Sequence, residues 1–133
     1  MSGAELRAAV RKRAKFRCEY CQLPDLLPDL IRFHLEHIRA KRHGGSSALS
    51  NLAWACPRCN ERKSANLSGV DPDTNRVARL FHPRRDAWAK HLAWEGLRIR
   101  GLTATGPATG WLLEFNSDDR LRWRDGLRKL GLF

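Results

Sequence analysis

An acidic residue followed directly by a histidine, Glu36-His37, with two asparagines further on at Asn51 and Asn60, supplies the donor types of a hydrolytic metal site. The histidine can take a proton from water. The oxygen donors can hold a hard cation beside a phosphate. Two knuckles bracket these residues: Cys18-Glu-Tyr-Cys21 and Cys56-Pro-Arg-Cys59. Two Cys-x-x-Cys pairs can set four thiolates tetrahedrally around zinc at about 2.3 Å. Such a site is closed, with no open position for water, so its role is structural, and the metal adds folding energy that a small core lacks. The competing reading, redox dithiols or free thiols, fits the paired spacing poorly. The 34 residues between Cys21 and Cys56 contain Glu36, His37 and Asn51. The zinc therefore staples the two ends of the functional stretch.

The elements that must position these groups follow from pattern. Arg32-Phe-His-Leu-Glu-His-Ile38 alternates with period two, which predicts a strand over 31–38. Neighbours on a strand point oppositely, so Glu36 and His37 converge only if the strand end twists or bulges. A distortion is expected near residues 36–39. Lys41 to Ser47, with Gly44-Gly45, is a loop. Leu49 to Ala55 is a turn and a second strand. Pro57 to Ala65 is a helix with proline in its first turn. Ahead of the first knuckle, Ser2 to Phe16 reads as a helix capped by Ser2, with Glu5 three residues on. Its Arg7, Arg11 and Lys15 form a stripe that is either a solvated face or an edge that follows phosphates.

Beyond the second knuckle, residues 68–76 suggest an exposed hairpin. Asp86 or Arg85 starts a short helix to His91, Leu97 to Leu102 alternates as a strand, and Thr105–Phe115 and Ser117–Leu130 read as helices. Ser117 is the expected cap of the last helix, and Leu121, Trp123, Leu127 and Leu130 its apolar side. Trp88, Trp94, Trp111 and Trp123 are expected in the core. Nothing after about residue 85 carries recognisable chemistry. The whole is read as one domain over residues 1–133, of α+β class: a core at about 16–66 and an extension at about 67–133 with a short strand pair and helices.

The formal net charge is +11, from 25 Lys and Arg against 14 Asp and Glu. Arginine predominates, and its planar fork suits phosphate oxygens, so a polyanionic partner is expected; the bland alternative is charge that only aids solubility. The excess lies on the folded body and not in a tail. No apolar run is long enough to cross a bilayer, and the charged first residues are no secretory signal. Cytoplasmic residence without membrane attachment is the expectation, and structural disulfides are rare there.

The order of these motifs resembles the HNH endonuclease family, the group with a ββα-metal core. The resemblance rests on Cys18-Glu-Tyr-Cys21, Phe33-His-Leu-Glu-His-Ile38, Gly44-Gly45, Asn51-Leu52, Cys56-Pro-Arg-Cys-Asn60 and Lys63, and covers about residues 16–64. Leu80-Phe-His-Pro-Arg-Arg-Asp86 with Trp88 and His91 also looks like the extension of small bacterial HNH proteins. The resemblance implies that His37 is the general base, that Asn51 orients it, and that Glu36 and Asn60 hold one divalent ion, Mg2+ or Mn2+, beside a structural zinc. The chain departs from the family in having Glu36 where Asp is commoner, and Arg39-Ala40 where a proline often follows.

Other histidines carry two readings each. His34 shares a face with Glu36 and is either an extra ligand or phosphate contact, or an exposed strand residue. His43 is a loop contact to phosphate or simply solvated. His82 is a possible metal ligand from the extension, and His91 is structural. Lys41, Arg42, Arg58, Arg62 and Lys63 surround the site in sequence and are expected to bind backbone phosphates; Lys63 could instead pack at its helix end. The expected activity is hydrolysis of DNA phosphodiester bonds, by nicking or double-strand cleavage, with double-stranded DNA the expected partner of a monomer or weak homodimer. The rivals are a non-catalytic zinc-containing nucleic-acid-binding module and a zinc-stapled protein-interaction domain.

Overall fold

A computed structural model describes all residues from Met1 to Phe133. The chain is of mixed α+β class, built of helices and three separate two-stranded antiparallel pairs. It divides into two compact units, Met1–Ala65 and Asn66–Phe133. No helix is long and apolar enough to cross a membrane.

In the first unit, helix α1 (Gly3–Arg13) begins where the Ser2 hydroxyl accepts the Glu5 N–H at 3.1 Å. It stops at Ala14 because Lys15 and Phe16 both take positive φ, 56° and 58°. Of the basic stripe, Lys15 is exposed, but Arg7 and Arg11 fit neither expected reading. Arg7 donates to the Phe33 carbonyl and lies 4.8 Å over the Trp54 ring. Arg11 pairs with buried Asp25 at 2.7 Å, and Asp25 also accepts the Trp54 indole N–H. These arginines tie α1 to the core. Strands β1 (His34–His37) and β2 (Leu52–Ala55) pair antiparallel, with His34 opposite Ala55 and His37 opposite Leu52. Helix α2 (Pro57–Lys63) starts at Cys56, with proline at its first position. Val10, Tyr20, Phe33, Ile38, Leu52 and Trp54 fill the core.

The second unit holds hairpin β3 (Ser68–Asp71)/β4 (Arg76–Arg79), the single turn α3 (Trp88–His91), pair β5 (Leu92–Glu95)/β6 (Arg98–Gly101), and helices α4 (Thr105–Leu112) and α5 (Asp118–Lys129). Helix α4 packs on β3, β4 and β6. Gly106 permits the approach to β6: a Cβ there would lie 2.7 Å from the Gly101 Cα, and 2.2 Å from the His91 carbonyl oxygen at the end of α3. Pair β5/β6 means two strand pairs where one was expected.

Helix α5 follows the reading of its faces only in part. Leu121 and Leu127 are half-buried, but Trp123 and Leu130 are exposed, and the fully buried residues are Arg120 and Arg124. Arg120 donates to the Leu113 carbonyl, and Arg124 to those of Leu97 and Phe115. Carbonyls left over at the end of α4 and in the loops need donors, and a guanidinium supplies several at once. Ser117 stands at the cap position, but its hydroxyl donates to Asp119 rather than accepting from the helix backbone. The tryptophans differ from expectation too. Trp94, Trp111 and Trp123 are exposed and Trp88 is half-buried, while Trp54 is the buried one.

Candidate metal centre and catalytic strand

The four cysteines come together. Their Sγ atoms all lie within 4.8 Å of one another, and every one of these residues is buried. The first knuckle is formed by a tight turn with Gln22 at φ 66°, closed by the Gln22 N–H on the Cys18 carbonyl. The second is the start of α2, where Cys56 Sγ caps the helix by accepting the Cys59 N–H. Glu19 stitches the knuckles together through β2: its N–H reaches the Trp54 carbonyl, and its carboxylate accepts the Trp54 N–H. Burial pushes the Cys18 and Cys59 thiols well above their ordinary range. Four thiolates cannot share such a space without a cation, and the donor set is that of a closed structural zinc site.

The strand that carries Glu36 and His37 is regular. Glu36 stands opposite Ala53 and His37 opposite Leu52, and the Ile38 N–H continues the ladder to the Asn51 carbonyl. The distortion expected at 36–39 is absent, so the two side chains face apart. Glu36 is 3% exposed and Lys63 1%. The Tyr20 hydroxyl donates to Glu36 Oε2 at 2.6 Å, Lys63 Nζ lies 2.6 Å from Oε1, and Lys63 also donates to the Ile38 carbonyl at 2.8 Å. Burial raises the Glu36 pKa, and the Lys63 ammonium and Tyr20 hydroxyl pull against it.

His37 is half-buried on the opposite side, with Nε2 3.0 Å from Ser47 Oγ. Burial lowers its pKa and nearby Lys41 adds to the effect, so the imidazole is neutral at pH 7. Asn51 closes the loop beyond it. Its Oδ1 accepts the Arg39 N–H, and its Nδ2 donates to the carbonyls of Arg39 and Ser46. Gly44 takes φ 79°, and at Gly45 a Cβ would lie 1.7 Å from the Arg39 carbonyl oxygen. That double glycine lets the loop press back onto the strand end.

Asn60 lies half-buried on α2, its side chain hydrogen-bonded to neither Glu36 nor His37. Among the expected phosphate contacts, Lys41, Arg42 and Arg62 are exposed and Arg58 is half-buried. Lys63 is a correction: it is buried against Glu36 and cannot reach a phosphate. His34 is exposed. His82 turns Nδ1 onto the N–H groups of Arg84 and Arg85 within its own unit. His91 bonds Thr103 and approaches Asp86.

Residues 18–66 match the family model for HNH endonucleases. Over this stretch, 49 of the 133 residues, the chain is similar to HNH endonuclease domains. No curated protein and no solved structure matches the chain. Sequence reasoning missed two partners within the matched stretch, Tyr20 and Ser47. Tyr20 was legible only as an apolar spacer between Cys18 and Cys21. Ser47 was one of several loop serines, with nothing to mark the one that meets His37.

Proposed function

We propose that the HNH domain hydrolyses DNA phosphodiester bonds, with His37 as the general base. The observation that carries this reading is the His37 imidazole at the end of β1, inside the stretch that matches the endonuclease family, open to solvent on one side and held neutral by its surroundings. In the reaction His37 accepts a proton from water as the water oxygen bonds to phosphorus. The ester bond to the leaving oxygen breaks, and that oxygen takes up a proton from solvent. Asn51 holds the loop backbone that brings Ser47 to His37, so it acts by positioning. Lys41 and Arg42, both exposed, contact DNA phosphates in this reading, together with Arg58 and Arg62 on α2.

Dependence on Mg2+ or Mn2+ is part of the proposal. Asn60 fits as a ligand, since its amide makes no hydrogen bond of its own on a half-buried helix face. Glu36 does not fit, because an ammonium already occupies its open side. That closure favours a second reading, a zinc-containing nucleic-acid-binding module without catalysis. Supercoiled plasmid, incubated with wild type and His37→Ala in the presence and absence of Mg2+ or Mn2+, separates the two. Cutting by wild type that needs the ion and is lost in the variant supports the nuclease. Salt-sensitive binding with no cutting by either protein refutes it and leaves the module.

A further inference from the structure

We propose that Glu36 is a positioning residue rather than a metal ligand: with Tyr20 and Lys63 it forms a buried brace that fixes the backbone on both sides of His37. The role given to His37 rests on the nuclease reading; the brace itself rests on geometry. Lys63 Nζ is held by the Glu36 carboxylate at 2.6 Å and by the Ile38 carbonyl at 2.8 Å, so one ammonium straddles residue 37. The Tyr20 hydroxyl closes the other carboxylate oxygen at 2.6 Å.

The brace also explains how the zinc controls a strand that gives it no ligand. Tyr20 lies between Cys18 and Cys21, and Lys63 ends the helix that contains Cys59. Both ends of the brace are thus anchored at the metal, and its centre is on β1. A hydrated divalent ion could reach Glu36 only by expelling the ammonium, which would leave a buried charge unpaired. The regular ladder adds a second obstacle, since Glu36 and His37 face opposite ways.

The test uses the zinc-loaded full chain, Glu36→Gln, Lys63→Met and the double variant. Thermal melting, Mn2+ binding by electron paramagnetic resonance, and plasmid cleavage are measured on each. Each single variant should melt about 10 °C lower, and the double should recover more than half of that loss because neither charge is left alone. Mn2+ affinity should change by less than about threefold in Glu36→Gln, where loss of a true ligand costs about tenfold or more. Cleavage by the single variants should fall in kcat with KM for DNA held, and return in part in the double. Tyr20→Phe, which deletes only one hydroxyl, gives a milder version should a single variant not fold. The proposal is overturned if Glu36→Gln weakens Mn2+ binding about tenfold while melting like wild type, or if the double variant recovers nothing. Wild type that never cuts DNA would remove the nuclease reading alone; melting and Mn2+ binding would still decide the brace.

Discussion

Stripping the zinc should unfold the first unit and not merely loosen it. A structural zinc site contributes about 10–16 kcal/mol of apparent binding energy at pH 7, whereas a small domain has only about 5–15 kcal/mol of net stability. The structure places all four ligands at 0–2% exposure, inside the core, so their loss exposes apolar surface as well as breaking the staple. The core that remains is six larger side chains around one short strand pair, too little to stand alone. Tryptophan emission reads the outcome. Trp54 is 2% exposed with its indole N–H on Asp25, and the other four tryptophans, all in the second unit, are half-buried or exposed. Chelation, or Cys59→Ser, should shift the blue part of the emission to the red, release one zinc per chain, and make the thiols reactive. If the metal-free protein kept the blue emission and the melting temperature of the loaded form, the zinc would not hold the fold together, and the account of the knuckles would fail.

Four further outcomes follow from particular contacts. His37→Ala should lower cleavage about 10²- to 10⁴-fold and leave melting unchanged, since the ring is half-exposed and makes one hydrogen bond, to Ser47. Gly45→Ala should lower both melting temperature and cleavage, because its Cβ would sit 1.7 Å from the Arg39 carbonyl oxygen and 2.9 Å from Asn51 Nδ2; full activity in this variant would contradict the loop geometry. Lys41→Ala and Arg42→Ala should each weaken DNA binding evenly across sequences and reduce the salt slope by about one, as read from binding isotherms over a salt series. Asp86 tests the second unit by acid titration. Burial raises its pKa, but Arg79, the His82 N–H and His91 outweigh that and hold it below the usual value. Its contribution is therefore complete above about pH 4 and lost as pH falls through the lowered folded value. Asp86→Asn should remove that acid limb from unfolding curves at a cost of at most about 1 kcal/mol, because Arg79 is 57% exposed.

Periodicity and motif order carried much of the first unit: the capped α1, the two strands, the proline-started α2 and the cysteine cluster all lie within a few residues of where pattern places them. Pattern failed where arginine did the packing. Arg7, Arg11, Arg120 and Arg124 look like surface charge in sequence, yet each turns its guanidinium onto carbonyls, a carboxylate or an aromatic face in the interior. On α5 the leucine and tryptophan spacing then held for Leu121 and Leu127, which are half-buried, but not for Trp123 and Leu130, which are exposed. Lys63 was legible in part. A lysine three residues after Asn60, in a basic segment, reads either as a phosphate contact or as packing at its helix end, and the fold decides for packing by placing its tip beside Glu36.

The surroundings of His37 illustrate how a short chain can fix one side chain with little core. His37 sits on a strand four residues long, which by itself would specify its position poorly. Three ties surround it: the ladder to β2, the Lys63 ammonium gripping residues 36 and 38, and Asn51 holding residue 39 through both its N–H and its carbonyl. Two of these run back to segments that carry the clustered cysteines. Buried charge is costly, but a fully paired charge is directional in a way that apolar contact is not, because moving either partner exposes an uncompensated ion. A single ammonium that reaches across residue 37 thus restricts the imidazole more than another leucine in its place could, which accounts for a buried lysine in a unit with so few large apolar side chains.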